Sequence, residues 1–219
     1  MTGVVHRREP LDLYQVDDNS CLTCVTANLL YVLGVTDILD TRWVDREVGR
    51  EPGCGAQRTE TRRFLLRQGL SLHMICPYEP KRFLQEGFDY LRRYYRQEWD
   101  WSWDEYWTPH RLERHRRECL TAQGLSAFGA RMRSEHRRPT LADIRGALDS
   151  GGLVWLSVDN NWGEVDCHAV LVYRRRGNEF DVYSPELLRG CRQRYHSAEL
   201  ARLWLRSEGM TAVWRREPE

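Results

Sequence analysis

The sequence predicts an α+β fold in which helices fill the first half of the chain and neighbouring strands fill much of the second. Apolar residues recur at helical spacing over 21–33 and 58–68. Short apolar runs at 153–158, 167–174 and 179–184 follow one another between turn residues. Because these strands succeed each other directly, without long crossover connections, we expect an antiparallel sheet and not a doubly wound one.

The elements of the first half follow from local signals. The polar residues at 17–20 can cap a helix over 21–33, and Gly34 follows its last apolar residue, where helix ends favour glycine. A short helix is predicted over 41–50 and a longer one over 58–68, closed by Gly69. The alternation in 70–75 predicts a strand.

The elements of the second half begin with a helix at 140–150, with Thr140 as its cap and Asp143 in the position of a capping box. Residues 175–178 form a hairpin-type turn between the strands at 167–174 and 179–184. A further strand is predicted at 191–195, then a helix over 197–207 capped by Ser197, and a closing strand at 211–215.

Residues 79–138 are rich in aromatic and charged side chains and are predicted as helices broken near Thr108 and Pro109. We interpret them as a helical insertion within a single domain that spans residues 1–219. Its aromatic residues can form a small core of their own, or the segment can form a wall that grips a substrate. The candidate substrate-binding residues are Trp99, Trp101, Trp103, Arg92 and Arg96.

Composition excludes several classes of protein. With 33 basic and 32 acidic residues the formal net charge is +1, which argues against a nucleic-acid binder. No apolar stretch is long enough to span a membrane, and the polar start is unlike a signal peptide, so we expect a cytoplasmic protein. Seven cysteines, an odd number, then predict reduced thiols, one of which can act as a nucleophile.

Three residues form a candidate catalytic constellation. Cys21 begins a predicted helix, where unpaired N–H groups and the helix dipole favour a thiolate. His168 opens a predicted strand and can act as its base. Gln15 lies six residues before Cys21, from where its amide and the Cys21 N–H could stabilise an oxyanion.

The string QVDDNSCLTCVTANLLYVLG, residues 15–34, resembles the nucleophile helix of the bacteriocin-processing, double-glycine-leader peptidases, a branch of the papain-like cysteine peptidases. In that family a Gln precedes the catalytic Cys by six residues and a Gly follows it by about thirteen, which Gln15, Cys21 and Gly34 match. The similarity continues over 55–75 and 139–208. The resemblance implies a papain-like fold, with Cys21 as nucleophile, His168 as general base and acid, and Gln15 in the oxyanion hole.

The chain departs from the family's pattern at two positions. Ser184 precedes Pro185 where the family has Asp or Asn to orient the histidine, and Leu22 replaces the Gly that follows the cysteine. A serine hydroxyl can accept the imidazole N–H, but it supplies no negative charge. Asp181, three residues earlier, should face the other side of the strand. We therefore expect one of three cases: a weakened Cys–His dyad, a carboxylate from another part of the chain that orients the histidine, or a site that has lost peptidase turnover.

The resemblance implies a thiol-dependent hydrolase or acyltransferase that acts on a peptide, amide or thioester carbonyl through a thioester intermediate, without cofactor or metal. Its substrate would be a peptide or a small acyl or amide compound, either free or presented by a carrier, with no nucleic-acid or membrane partner. One alternative is a catalytically weakened pseudo-enzyme that acts as a binding or regulatory module. Another is a redox or zinc protein that uses the pair Cys21 and Cys24. The oligomeric state stays open.

Overall fold

The computed structural model describes residues 8–17, 19–51, 54–96, 107–159, 167–186, 191–205 and 208–215. Its helices are α1 (Cys21–Val32), α2 (Thr41–Glu47), α3 (Arg58–Arg67), α4 (Pro80–Glu86), α5 (Phe88–Arg96), α6 (Pro109–Gly124), α7 (Leu141–Asp149) and α8 (Ser197–Leu203). Its strands are β1 (Leu70–Ile75), β2 (Met132–Glu135), β3 (Leu153–Asp159), β4 (Cys167–Arg176), β5 (Glu179–Tyr183), β6 (Arg192–His196) and β7 (Met210–Arg215). A 3₁₀ helix covers Leu125–Arg131.

The strands form one mixed sheet of seven, in the order β2-β1-β7-β3-β4-β5-β6. Every neighbouring pair runs antiparallel except β1 and β2, which pair in parallel, with Leu72 opposite Met132. The predicted antiparallel sheet needs this one correction. The sequence carries no signal for β2 because the strand has four residues, none of them fully buried, and so lacks an apolar alternation.

Helices cover both faces of the sheet. On one face α1, α2 and α3 pack against alternate strand residues such as Trp155 and Leu171. On the other face α7 and α8 pack against the intervening residues, such as Val154 and Val170. Because both faces are buried, the central strands are apolar at nearly every position and do not alternate.

Two predicted helix caps are wrong and one is confirmed. The Ser20 side chain does not cap α1, because its Oγ accepts instead from the backbone N–H of Val16 at 3.0 Å. Ser197 is the first residue of α8, and the cap is His196, whose Nδ1 accepts from the N–H of Ala198 at 3.3 Å. The capping box of α7 is present, with the Asp143 carboxylate accepting from the N–H of Thr140 at 2.7 Å.

The segment predicted as an insertion forms α4, α5, α6 and the 3₁₀ helix between β1 and β2. The predicted break at Thr108 and Pro109 starts α6, where the Thr108 hydroxyl accepts from the N–H of Arg111 at 3.3 Å. These helices enclose a small core of their own, made by Phe83, Tyr90, Leu91, Tyr95 and Cys119. The aromatic residues of the segment thus serve its internal packing at least in this part.

Candidate active site

The ends of two neighbouring strands bring His168 and Ser184 together. His168 is the second residue of β4, and Ser184 follows the last residue of β5. Since β4 and β5 are antiparallel, the start of one lies beside the end of the other. His168 Nε2 is 2.9 Å from Ser184 Oγ, and both residues are buried. This hydrogen bond orients the ring, and in the tautomer in which Nε2 donates, Nδ1 is the nitrogen that can take up a proton.

Cys21 is the first residue of α1, and α1 packs against β4. The thiol lies against the backbone N–H groups of Ala169 and Leu22 and against its own. Ala169 is the residue next to His168. The fold therefore brings the cysteine from the first helix to the start of the strand that carries the histidine.

Burial governs the charge state of this pair. It raises the pKa of the Cys21 thiol, against the opposing effect of the backbone N–H groups of Ala169 and Leu22 and of the Arg58 charge. It also lowers the pKa of His168 to about 4. Near neutral pH the Cys21 side chain is thus a thiol, and the His168 side chain is a neutral imidazole. The thiolate expected from the helix start is not the resting form, because desolvation outweighs the helix terminus.

Gln15 lies beside the end of β5. Its backbone N–H donates to the carbonyl of Pro185 at 3.1 Å, one residue after Ser184. The preceding residues are held by the Leu13 carbonyl, which accepts from the Tyr183 hydroxyl. Within the described part of the chain, the Gln15 side-chain Oε1 is buried without a hydrogen-bond partner. A buried amide in this condition is available to a ligand.

An arginine that the sequence analysis missed holds the loop between Gln15 and Cys21. Arg50 Nε donates to Asp45 at 2.7 Å, and its Nη2 donates to Asp17 at 2.9 Å. Arg50 Nη1 also donates to the Cys54 carbonyl at 3.0 Å, and Asp45 accepts from the Thr23 hydroxyl at 2.7 Å. This network ties the loop to α1 and α2. Nothing in the local sequence marks Arg50, because its partners come from three separate segments.

Asp181 does not supply the missing carboxylate. It accepts from Arg174 at 2.6 Å, from Arg176 at 2.9 Å and from Arg194 at 2.8 Å. Together these arginines hold the pKa of Asp181 at about 2 despite its burial. The hydrogen-bond partner of the imidazole is therefore Ser184.

Of the five predicted substrate-binding residues, the structure describes Arg92 and the backbone of Arg96. Arg92 lies on α5, with its guanidinium 4.9 Å from the centre of the Phe88 ring. Arg96 ends α5, and Trp99, Trp101 and Trp103 lie outside the described residues. A role for these five in substrate binding stays a prediction.

A cavity of about 490 Å³ lies between α3, β1 and the helices of the insertion, and the sequence analysis did not foresee it. Arg58 lines this cavity, and its charge also acts on Cys21, which is not itself among the lining residues. The cavity also holds a second thiol–imidazole pair, with Cys119 Sγ 3.8 Å from His115 Nε2. Burial raises the pKa of Cys119 to about 12, and the same His115 nitrogen lies 2.7 Å from the Tyr78 hydroxyl.

The described segments give little support to the competing metal and redox hypotheses. There, no group of three or more His, Cys, Asp or Glu side chains could hold a metal ion. Cys24 is fully buried, and burial raises its pKa to about 12. Among the residues with described structure, no helix combines the length and apolar character needed to cross a membrane.

No family model matches this chain, and no curated protein sequence is similar to it. Among solved structures, the chain is similar to the peptidase domain of Streptococcus ComA, a bifunctional ABC transporter involved in a quorum-sensing pathway. The two chains are 9% identical, the alignment covers 92% of this chain and 94% of that domain, and the TM-score is 0.47.

Acid titration of His168 should be visible in the stability of the protein. Burial lowers the pKa of this residue to about 4, from an ordinary value of 6.5. Between these values the unfolded chain binds a proton that the folded chain does not, so stability falls as the pH drops from 6.5 towards 4. A shift of this size corresponds to about 3 kcal/mol. We expect His168→Gln to remove this loss, measured by urea unfolding at a series of pH values.

The exposed His110 provides the matched control. The His110→Gln variant should retain the wild-type dependence of unfolding free energy on pH, since this side chain is exposed in the folded protein. If the unfolding free energy of His168→Gln depended on pH as that of the wild type does, the imidazole of His168 would not be held neutral by burial.

Proposed function

We propose that this protein is a papain-like thiol enzyme that transfers acyl groups from a peptide, amide or thioester substrate. The observation that carries the proposal is the hydrogen bond from His168 Nε2 to Ser184 Oγ at 2.9 Å, made where Cys21 lies against the next residue, Ala169. These contacts support a site in which Cys21 is the nucleophile, His168 the base and Ser184 the residue that orients the base, which is the set of groups that nucleophilic catalysis by a thiol requires.

The reaction starts from the neutral pair. Cys21 Sγ attacks the carbonyl carbon as His168 Nδ1 takes the thiol proton, and the electron pair of the C=O bond moves to oxygen. When the tetrahedral intermediate collapses, the bond to the leaving amine or thiol breaks, and His168 returns the proton to that group. A thioester on Cys21 remains. An incoming water or amine then gives up its proton to His168 and attacks the thioester carbonyl. The C–S bond breaks as this second intermediate collapses, and His168 returns the proton to Sγ, so that Cys21 leaves as a thiol.

Oxyanion stabilisation is assigned to two groups near the thiol. The backbone N–H of Cys21 at the first position of α1 is one donor, because the first N–H groups of a helix have no partner within the helix. The Gln15 side chain is the other. Its amide oxygen is buried without a partner among the residues described, and a half-turn of the amide would put the NH₂ group in the place of that oxygen as a free donor.

Ser184 sets the character of the base. In the tautomer that we propose, Nε2 carries the hydrogen and donates it to the Ser184 hydroxyl, which leaves Nδ1 free of a proton. Because this hydroxyl is uncharged, it does little to stabilise an imidazolium, which agrees with the pKa of about 4 for His168. We therefore assign the chain a general-base mechanism that starts from the thiol, in place of a preformed ion pair.

The acceptor decides whether the protein is a hydrolase or an acyltransferase. Water as acceptor gives a peptidase or amidase, and an amine gives an acyltransferase, with the same residues in both cases. We propose a processing or tailoring enzyme formed by a single papain-like domain, with the helical insertion as the wall beside the site. Its substrate is a peptide or a small acyl or amide compound, either free or presented by a carrier.

The test is alkylation by iodoacetamide with peptide mapping, because Cys54 provides an internal control. Cys21 and Cys54 are both partly exposed, but only Cys21 lies beside His168. We expect Cys21 to react about 10-fold faster than Cys54 near pH 7, since an adjacent base typically accelerates such a step by this much or more. In His168→Ala the rate at Cys21 should fall to that of Cys54.

A rate at Cys21 no higher than that at Cys54 would overturn the catalytic proposal. The protein would then be the pseudo-enzyme of the alternative hypothesis, in which the fold serves as a binding or regulatory module. The His110→Ala variant, altered at an exposed histidine of α6, should leave both rates unchanged.

A further inference from the structure

Arg62 is a buried cation without a carboxylate partner. It lies in the middle of α3 and is only 8% exposed. Its Nε donates to the Thr211 hydroxyl at 3.1 Å, and its guanidinium lies 5.2 Å from the centre of the Trp155 ring. Among the described residues, its two terminal nitrogens have no hydrogen-bond acceptor, and the side chain lines the cavity of about 490 Å³.

Both carboxylates of the cavity and two of its other cations make contacts elsewhere. Arg58 pairs with Glu208, and Arg114 donates to the Gly55 carbonyl at 2.6 Å. Glu118 accepts from the N–H of Thr59 at 3.0 Å. Glu118 and Glu208 act on Arg62 only through longer-range attraction, and no described carboxylate forms an ion pair with it.

A buried guanidinium in this state is costly, because no directly paired carboxylate offsets its desolvation. Burial lowers the pKa of Arg62 to about 10, so the group stays protonated near neutral pH. The lining of the cavity carries five Lys and Arg side chains but only two carboxylates. Both the Arg62 side chain and the excess of positive charge in the cavity therefore favour binding of an anion.

We propose that this cavity binds a small organic molecule through its carboxylate or phosphate group, which pairs with the terminal nitrogens of Arg62. A guanidinium presents two parallel N–H donors that match the two oxygens of such a group. The apolar part of the molecule packs against aromatic side chains of the lining such as Tyr95. The volume lies within the range of pockets for small molecules.

The ligand site stands independently of the catalytic proposal, although the charge of Arg58 acts on both Cys21 and Arg62. Binding can be measured on the Cys21→Ala variant, which cannot form a thioester. A failure to bind there refutes the ligand site alone, and a failure of Cys21 to react refutes the catalytic site alone.

The experiment is isothermal titration of benzoate, phenyl phosphate and benzamide into the Cys21→Ala protein. Benzamide has the shape of benzoate without its charge. We expect benzoate or phenyl phosphate to bind at least about 10-fold more tightly than benzamide, since a buried charged pair is worth this much or more. The acid with the higher affinity identifies carboxylate or phosphate as the preferred group.

Two variants complete the test. Arg62→Met keeps much of the side-chain volume and should weaken binding of the preferred acid about 10-fold or more. Arg63→Met, on the adjacent and exposed position of α3, should leave the affinity unchanged. The proposal is overturned if the protein that retains Arg62 binds benzamide as tightly as both acids. It is also overturned if neither benzoate nor phenyl phosphate binds. The benzamide comparison decides even if Arg62→Met does not fold.

Discussion

The Cys21→Ala variant is expected to lose acyl-enzyme formation completely and to lose turnover by about 10³-fold or more, because removal of the nucleophile leaves only binding and oxyanion stabilisation. The measurement is intact-protein mass spectrometry after incubation with a simple acyl thioester, such as that of N-acetylcysteamine. Wild-type protein should gain the mass of one acyl group and release it on addition of an amine or on standing in water.

Two other cysteines serve as controls for this result. The Cys54→Ala variant should acylate as fast as wild type, although Cys54 is exposed to a similar degree. Cys119→Ala should do the same, because its thiol is buried with a pKa raised to about 12. Acylation that survives in Cys21→Ala and disappears in Cys119→Ala would move the active site to the pair Cys119 and His115, inside the cavity.

The Arg50→Ala variant is expected to show the second large effect, a loss of unfolding free energy. The Arg50 side chain is only 7% exposed and pairs with both Asp17 and Asp45. Its removal leaves the Asp45 carboxylate, 21% exposed, without its cation. Losing one partner of such a network typically costs about 3 kcal/mol. Urea unfolding should show this as a lower midpoint with an unchanged slope.

Arg46→Ala provides the matched comparison. Arg46 lies in the last turn of α2, four residues before Arg50, and its side chain is exposed. Its unfolding free energy should change by less than about 0.5 kcal/mol. If Arg50→Ala were no more destabilising than Arg46→Ala, the network would not hold the loop before Cys21. The hydrogen bond to Arg50 also lowers the pKa of Asp17, so its contribution exists above the ordinary Asp value and is lost as the pH falls through the lowered one.

The elements with a regular apolar pattern could be predicted from the sequence. β1 has the bounds that its alternation indicated, and the helix start at Cys21 follows from the apolar periodicity of α1. The meeting of His168 with Ser184 could also be anticipated, because a hairpin brings the start of one strand to the end of the next.

What could not be predicted depends on contacts between distant segments. Arg50 and Arg62 each look like one more arginine in a charged helix or turn, and their burial appears only when separate elements pack around them. The same holds for the charge state of Cys21. A helix start is visible in the sequence, but the depth at which the thiol lies is not, and that depth decides its pKa.

The parallel pairing of β1 with β2 constrains how the helical insertion could be gained or lost. The chain leaves the sheet after Ile75 and returns at Met132, beginning a strand that runs in the same direction. Parallel neighbours cannot be joined by a tight turn, since the connection must travel back along the whole strand. A shorter relative or an engineered minimal form must therefore delete β2 together with the helices, and would expose β1 as a new sheet edge.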